Sequence, residues 1–280
     1  MLKIKKSGFF TTIQDNGRYG LRHLGVPVSG AMDQAAAKLA NAMLENKEDA
    51  AVLEITMSGP VLEFTKDTWA SITGANFSPQ LNEVDIDNHS VFKVTAGDKL
   101  AFGRHINGLR AYVAVKGGFS TAEVLNSRSF YIPLTEKDHL LAGMEIPYEE
   151  TTSFEPKITN VIPEEIDRVL TLEVSRAPEF DLLSAEQREI LFSRPFTIAK
   201  ENNRMAYQLQ EAIGEHQYAM LTSATLPGTV QLTPGGKLII LMRDGQTTGG
   251  YPRILQLSEK SSNYLAQRTF GDTVHFKLTS

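Results

Sequence analysis

Residues 11–41 read TTIQDNGRYGLRHLGVPVSGAMDQAAAKLAN, a glycine-rich polar segment followed by an alanine-rich one. Its first part sets polar side chains between glycines at 17, 20, 25 and 30, a composition typical of a loop rather than a core. Its second part predicts an amphipathic helix whose apolar face carries Ala36, Leu39, Ala40, Met43 and Leu44. Ser29 or Asp33 can cap the start of that helix. The stretch therefore predicts a polar loop held at the mouth of a well-packed helix.

Short runs of β-branched and aromatic residues follow, separated by turns that contain Gly, Pro, Asn and Asp. They predict strands at residues 51–55, 60–64, 68–73, 90–94, 99–103 and 110–115. Further strands are predicted at 171–175, 229–232, 237–242, 253–258 and 273–278. Ser184 and Gln187 form a capping-box pattern that opens a short helix, which must end before Pro195. The close spacing of these short strands and turns predicts a mainly β protein with a few short helices, built as a β-sandwich or a β-barrel.

The length of 280 residues suits two domains. Residues 149–165 are polar with two prolines and are interpreted as a linker between a first half, 1–150, and a second half, 166–280. Turn residues recur in the same order in both halves; one example is Gly97-Asp98 in the first half and Gly271-Asp272 in the second. The offsets of roughly 170–175 residues predict a pseudo-repeat of two similar barrels.

Composition excludes several classes of function. The 28 basic and 33 acidic side chains give a net charge of −5 without charge runs, so neither nucleic acid nor a membrane is an expected partner. The start carries no apolar leader and no long apolar stretch occurs, so we expect a cytoplasmic protein. The chain has no cysteine, and its six histidines show no metal-ligand spacing, so we expect no metal site.

A second polar cluster follows the predicted strand at 237–242 and reads RDGQTTGGY, residues 243–251. Its glycines allow backbone N–H groups to approach a ligand, its threonines supply hydroxyls, and Arg243 could hold an anion. A β-bulge or hairpin with incidental hydroxyls explains the same residues. No phosphate-binding loop, dinucleotide fingerprint or nucleophile elbow is present in the sequence.

The two polar clusters contain the groups that acid–base or phosphoryl-transfer chemistry needs. The candidate bases are Asp15, Asp33 and Glu54, with His23 as a possible proton shuttle. The candidate charge stabilisers are Arg18, Arg204 and Lys116. For Lys116, which precedes two glycines, a turn with a solvated ammonium is the simpler interpretation.

A family resemblance runs through most of the chain in a constant order. It is carried by QDNGRYGLRHLGVPVSGAMD (14–33), LAN (39–41), AVLEITMSGP (51–60), YVAVKGGF (112–119), SRS (127–129), NRMAYQL (203–209), LPGTVQL (226–232) and DGQTTGGYPRI (244–254). These motifs resemble the family of the 5-oxoprolinase C subunit. That family also includes KipA and the matching part of the urea carboxylase carboxyltransferase region.

The resemblance implies two cyclophilin-like β-barrel halves and a role in the ATP-dependent opening of 5-oxoproline to glutamate. It implies a protein that is inactive alone, with a KipI-like B subunit as direct partner, the A subunit as a further partner, and ATP with Mg shared with the partner. The chain lacks the Met-Lys-Met of biotin carriers, so no covalent biotin is expected on it. The expected catalytic residues are Asp15, Arg18, His23, Asp33 and Lys116. The expected substrate- or nucleotide-binding residues are Gln14, Glu54, Arg204, Gln246, Thr247, Thr248, Gly249, Gly250 and Tyr251.

Two other functions remain open at this point. One is a biotin-dependent carboxyltransferase component acting on a urea-like acceptor, and the other is a KipA-like regulator that binds a partner resembling the B subunit. The chain departs from the family pattern at YIPLTEKDHLLAG (131–143), where Lys137-Asp138 replaces Gly-Asp and a Gly-Arg pair is missing. Gly245 also stands where arginine is common. These departures keep a divergent or non-catalytic member in view.

The sharpest expectation is that residues 14–18, 29–33 and 246–251 lie in one pocket, since ligand pockets favour domain junctions. We expect these loops to be exposed. Asp15→Ala and Thr248→Ala should then remove activity while costing no more than about 0.5 kcal/mol of stability.

Overall fold

The computed structural model describes residues 1–162, 170–218 and 220–279. The chain divides into two compact units, the first formed by Met1–Arg18 and Ser29–Glu164 and the second by Tyr19–Val28 and Glu165–Ser280. Both units consist mainly of strands, which confirms the predicted fold class. The segment Tyr19–Val28 belongs to the second unit although it is flanked by residues of the first. Residues 163–165 of the predicted linker lie outside the described residues.

The first unit contains one described α-helix and two sheets. The helix is α1 (Gln34–Met43). The described strands are β1 (Leu2–Lys6), β2 (Phe10–Gln14), β3 (Val52–Thr56), β4 (Val61–Phe64), β5 (Thr68–Asn76), β6 (Pro79–Leu81), β7 (Val84–Asp85), β8 (Ser90–Val94), β9 (Lys99–Phe102), β10 (Asn107–Val115) and β11 (Glu145–Ile146). All six strands predicted in this half are confirmed.

Two facing sheets enclose the core of the first unit. One has the order β11-β1-β4-β9-β6-β7 and the other β2-β3-β10-β5-β8. Alternating residues such as Leu2 and Ile4 of β1 and Val113 and Val115 of β10 meet in one buried cluster. The opposite face of β10 carries Tyr112, which packs with the apolar face of α1 in a second cluster. Strands β3 and β10 are therefore covered on both faces, which positions the start of α1 firmly.

The second unit contains a closed barrel. Its described helices are α2 (Ala185–Ser193) and α3 (Glu259–Leu265). Its described strands are β12 (Leu170–Arg176), β13 (Phe196–Asn202), β14 (Ala206–Ala212), β15 (Ser223–Ala224), β16 (Thr229–Leu232), β17 (Lys237–Leu241), β18 (Thr248–Gly249), β19 (Arg253–Leu257) and β20 (Thr273–Leu278). The barrel order is β12-β19-β16-β17-β14-β13-β20, and β15 pairs with β18 outside it. The capping box of Ser184 and Gln187 is confirmed, as are the five strands predicted in this half.

Barrel closure comes from the last strand, β20, which pairs with β12 in parallel and with β13 in antiparallel orientation. The closed sheet surrounds inward-facing apolar residues including Leu172, Ile198 and Leu209. In the first unit the strands form the two facing sheets described above instead of one closed barrel. Among the described helices none is long and apolar enough to cross a membrane.

The predicted echo between the halves appears in detail at one turn. In the first unit Gly97 N donates to Phe64 O at 2.7 Å and Phe64 N donates to Asp98 O at 2.9 Å. In the second unit Gly271 N donates to Ile198 O at 3.1 Å and Ile198 N to Asp272 O at 2.9 Å. In both turns the aspartate side chain accepts the backbone N–H of the threonine three residues earlier. The recurring Gly-Asp pairs therefore serve the same purpose, which is to start a strand.

Candidate functional site

Asp15 follows β2 and acts as the centre of a hydrogen-bond cluster in the first unit. Its Oδ1 accepts the backbone N–H of Gly17 at 2.8 Å and the hydroxyls of Ser127 and Ser129, each at 2.6 Å. Its Oδ2 accepts the backbone N–H of Arg128 at 2.6 Å. Four donors occupy the carboxylate, so Asp15 joins the loop after β2 to the Ser-Arg-Ser segment. This geometry suits a structural anchor better than an available base.

Gln14 and Arg18, on either side of Asp15, are buried. Arg18 is 1% exposed, and it donates through Nε to Val124 O at 3.0 Å and through Nη2 to Ser129 O at 2.6 Å. Gln14 is fully buried and donates to the hydroxyl of Thr12 at 3.0 Å. The expectation that residues 14–18 form an exposed loop is wrong for these two side chains. Arg18 is buried because its guanidinium supplies donors to two backbone carbonyls of the distant segment that contains Val124 and Ser129.

The Ser29–Asp33 turn lies against the loop after β2 in the same unit. Ala31 N donates to Asp15 O at 2.9 Å. Ser29 and Gly30 are both left-handed, with φ of 56° and 84°. A Cβ on Gly30 would stand 2.8 Å from the carbonyl of Asn16, so this close approach requires glycine. Residues 14–18 and 29–33 are thus brought together as one polar substructure.

Asp33 and Glu54 secure the other end of that turn. Asp33 is the N-cap of α1, where its Oδ1 accepts the N–H of Ala36 at 3.0 Å, and the helix predicted from the apolar period is confirmed. Glu54 of β3 is 1% exposed, and its Oε2 accepts the N–H of Met32 at 2.7 Å and the hydroxyl of Tyr112 at 2.9 Å. Both carboxylates thus hold backbone N–H groups at the helix start.

Tyr112 of β10 completes this arrangement, and sequence reasoning missed it. Its hydroxyl accepts the N–H of Asp33 at 2.8 Å while donating to Glu54. Burial, followed by the charges of Glu54 and Asp33, raises the pKa of Tyr112 well above its usual value of 10. Arg110 Nε lies 3.9 Å from Glu54 Oε1 and supplies a nearby positive charge. A tyrosine within an alternating strand gives no sequence signal that separates this role from core packing.

Lys116 lies at the far end of α1. Its Nζ donates to Leu44 O at 2.7 Å and to Glu45 O at 3.3 Å, and it stands 4.3 Å from the ring centroid of Phe154. The helix from residue 34 to residue 43 is about 15 Å long at 1.5 Å per residue. The structure therefore does not bring Lys116 together with Asp33. It places the ammonium on the C-terminal carbonyls of the helix, where a positive charge is favoured.

Arg204 in the second unit is held by Asp244. Its Nε lies 2.8 Å from Asp244 Oδ2 and its Nη2 lies 3.3 Å from Oδ1, while Asp244 N donates to Arg204 O at 2.9 Å. Arg204 is 8% exposed. This bidentate pair links the β13–β14 turn to the segment after β17. Its geometry serves the loop rather than an incoming substrate.

The 246–251 segment, by contrast, presents polar groups at the surface of the second unit. Gln246, Thr248, Gly250 and Tyr251 are exposed, while Thr247 and Gly249 are partly buried. The short pair of β15 and β18 holds the backbone, and Thr225 N donates to Thr247 O at 3.0 Å.

Gln231 of β16 supports this segment from the barrel. It is fully buried, and its Oε1 accepts from Gln246 Nε2 at 3.3 Å. A Cβ on Gly249 would stand 2.6 Å from Gln231 Nε2, so the segment packs tightly on the glutamine.

The segment Tyr19–Val28 brings two further polar side chains to the second unit. Arg22 and His23 lie in a short 3-10 turn, and His23 is exposed. Arg22 Nη2 donates to Thr225 O at 2.7 Å and to Gln246 O at 3.0 Å. Arg22 was not among the expected site residues. Its position within the glycine-rich stretch, next to His23, was the signal that could have identified it.

No group of three or more His, Asp or Glu side chains that could hold a metal ion occurs within residues 1–162, 170–218 and 220–279.

The first unit is a sandwich of two facing sheets and the second is a closed β-barrel, and both carry glycine-rich polar segments. The family profile "Carboxyltransferase domain, subdomain A and B" matches residues 24–278, and the chain belongs to this family. It is 33% identical to the C subunit of the 5-oxoprolinase of Escherichia coli (strain K12), over 99% of this chain and 90% of that protein.

Solved structures show the same fold. The structure of the protein TTHA0988 superposes on this chain with a TM-score of 0.90 at 27% identity, over 99% of this chain and 55% of that chain. The urea carboxylase of Kluyveromyces lactis superposes with a TM-score of 0.89 at 26% identity, over 100% of this chain and 27% of that chain. The present chain thus spans about half of the first of these solved chains and about a quarter of the second.

Proposed function

We propose that this protein is the C subunit of an ATP-dependent 5-oxoprolinase, which opens 5-oxoproline to glutamate together with an A subunit and a KipI-like B subunit. The observation that carries the proposal is the 33% identity to a 5-oxoprolinase C subunit across 99% of the chain and 90% of the relative. The sequence contains no phosphate-binding loop or dinucleotide fingerprint of its own, which agrees with a reaction shared among several proteins.

The chemistry of the lactam explains why ATP is needed. A five-membered lactam is a poor electrophile. Transfer of the γ-phosphoryl group of ATP to the amide oxygen releases ADP and activates the ring carbon, so that water adds there and the C–N bond breaks to leave an acyl phosphate. A second water then releases phosphate and gives glutamate. A phosphoryl group carries charge that cations and N–H groups stabilise. This chain's contribution is the exposed 246–251 segment with the nearby guanidinium of Arg22. ATP and its Mg are bound jointly with the partner protein.

Reconstitution tests the proposal. The full chain is mixed with the A and B subunits from the same genome, ATP, Mg and 5-oxoproline, and glutamate is measured by chromatography. We expect glutamate release that requires all three proteins and ATP. Release at the same rate by the two partner proteins without this chain would reject the proposal.

A second candidate is a carboxyltransferase component that acts with biotin on a carrier protein. The observation that favours it is the family match, together with the superposition on the Kluyveromyces lactis urea carboxylase. Avidin blocks biotin chemistry and leaves ATP-dependent lactam opening untouched. Full activity of the reconstituted mixture in the presence of avidin would exclude this candidate, whereas complete inhibition would favour it.

A further inference from the structure

Within the described residues, the groups that hold Arg22 in place are neutral. Its Nη2 donates to the carbonyl oxygens of Thr225 and Gln246, at 2.7 and 3.0 Å. Its Nη1 is buried and has no hydrogen-bond partner in the described part of the chain. Burial lowers the pKa of Arg22, and no described carboxylate offsets this effect. A half-buried guanidinium without a counterion is costly, because desolvation penalises a charge that nothing neutralises.

Arg243 is a second arginine of this kind. It follows β17 and is 8% exposed, within a turn that Gly245 N closes by donating to Met242 O at 3.0 Å. Within the described residues its side chain makes no hydrogen bond and no ion pair. Only two residues separate Arg243 from Gln246, whose carbonyl binds Arg22, so the two arginines flank the same short segment.

Other arginines of the second unit have their positive charge compensated by a carboxylate. Arg204 pairs with Asp244 at 2.8 Å, Arg253 with Glu179 at 2.7 Å, and Arg188 with Asp181 at 3.5 Å. The charged residues with contacts at the 243–251 segment thus include Arg22, Arg204, Arg243 and Asp244, and beside it lies the compensated pair of Arg253 and Glu179. A local excess of positive charge in a chain of net charge −5 is a specific feature of this segment.

Neutral donors complete the surroundings. Thr248 is exposed with its hydroxyl on the same segment, and a Cβ on Gly250 would meet nothing within 4 Å. Gln231 Nε2 is buried below Gly249, and within the described residues it also has no hydrogen-bond partner. Among the described residues, Gln231 Nε2 is thus a donor without an acceptor, and Gly250 leaves room for a ligand. The missing complement is an acceptor that carries negative charge.

We propose that Arg22, Arg243 and the 246–251 segment form a binding site for an oxyanion, a carboxylate or phosphate group, on the second unit. A guanidinium that is anchored through one amino group, and that has no partner at the other, keeps its positive charge at a fixed place, where a charged acceptor is favoured. The choice of ligand rests on the proposed function, which supplies two sources of this chemistry: the carboxylate of 5-oxoproline and the phosphates of the nucleotide.

Calorimetric titration of the full chain alone, at constant ionic strength, tests the site. The three ligands are inorganic phosphate, 5-oxoproline and 2-pyrrolidinone, which has the same lactam ring without the carboxylate. We expect phosphate or 5-oxoproline to bind and 2-pyrrolidinone not to bind. Binding of phosphate alone assigns the site to the nucleotide, and binding of 5-oxoproline alone assigns it to the substrate. Binding of neither anion, or equal binding of 2-pyrrolidinone, would overturn the proposal.

Two substitutions locate the binding. Arg22→Gln and Arg243→Gln should each weaken the anion's affinity by at least about tenfold, since a charged hydrogen bond is lost. Arg243 makes no hydrogen bond within the described residues, so its replacement removes none and the variant should keep the wild-type melting temperature. Unchanged affinity in both variants would overturn the proposal.

The matched control is Arg194→Gln. Arg194 also donates through Nη2 to a backbone carbonyl, that of Ala212 at 2.6 Å, but its charge helps to lower the pKa of Glu211 and is thus compensated. This variant should bind the anion as the wild type does, and an equal loss of affinity would contradict the assignment. Anion binding without glutamate release in the reconstituted mixture would reject the proposed function and leave this site standing. Glutamate release without anion binding by the chain would do the reverse.

Discussion

Asp15 was expected to act as a base in an exposed loop, and its contacts instead predict a large effect on stability. Asp15→Ala removes the acceptor of four donors: two backbone N–H groups and two serine hydroxyls. Leaving these groups unpaired should lower the free energy of unfolding by about 2–4 kcal/mol. Chemical denaturation followed by fluorescence or circular dichroism measures the change.

Ser127→Ala provides the control for Asp15, because it removes one of the four donors and leaves the carboxylate in place. It should cost about 1 kcal/mol. If Asp15→Ala were as stable as the wild type, the anchoring role would be refuted and the expectation of a free base would stand.

Tyr112 gives the structure a predicted dependence on alkaline pH. The pKa of Tyr112 in the folded protein lies well above 10, whereas a tyrosine in the unfolded chain has a pKa of about 10. The stabilisation from Tyr112 is therefore complete below pH 10 and is lost as the pH rises above it, because only the unfolded chain then releases the proton. The free energy of unfolding of the wild type should fall more steeply above about pH 10 than that of Tyr112→Phe. Parallel curves for the two proteins would contradict this.

At the scale of elements, the turn before α1 depends on one glycine. Gly30 and Gly25 are both left-handed, with φ of 84° and 80°. A Cβ on Gly30 would stand 2.8 Å from the backbone of Asn16, while a Cβ on Gly25 would meet nothing within 4 Å. Both alanine variants carry the conformational cost of about 1–2 kcal/mol. Only Gly30→Ala adds a clash with backbone, so its melting temperature should be clearly the lower. Equal melting temperatures would show that the turn adjusts freely.

The sequence predicted most elements because their patterns are periodic. The apolar period and Asp33 predicted α1 with its cap, and runs of β-branched and aromatic residues predicted many of the strands that line the two cores, but not β2, β13 or β14. Strand β1 was not predicted because lysines fill three of its five positions and only Leu2 and Ile4 are apolar. Helix α3 was missed because its serine-rich sequence lacks an apolar stripe, although Ser258 caps it.

The site could be predicted in location more readily than in role. Glycines and polar residues mark the segments 14–18, 29–33 and 246–251, but not the partners of their side chains. Asp15 receives donors from Ser127 and Ser129, more than a hundred residues away, and no local pattern encodes such contacts. Likewise the sequence does not show that Arg204 is paired with Asp244 whereas Arg243 has no partner among the residues that the structure describes.

At the scale of the whole molecule, the prediction that all three polar segments share one pocket stays a prediction. Substitution of Thr248 tests the part of it that concerns the 246–251 segment. The Thr248 side chain is exposed, and β18 pairs with β15 along the backbone. Thr248→Ala should therefore reduce glutamate release with the partner proteins at least about tenfold, with less than about 0.5 kcal/mol lost in stability. The control is Thr171→Ala, an exposed threonine on β12. Equal activity of the two variants would argue against a role for this segment.

The role of this chain as a C subunit is tested by the initial rate of glutamate release as the full chain is titrated into constant amounts of the A and B subunits, with ATP and 5-oxoproline saturating. We expect the rate to rise from the background of these two partner proteins to a plateau at a defined ratio of chain to partner. A rate that stays at that background at every concentration of the chain would contradict it.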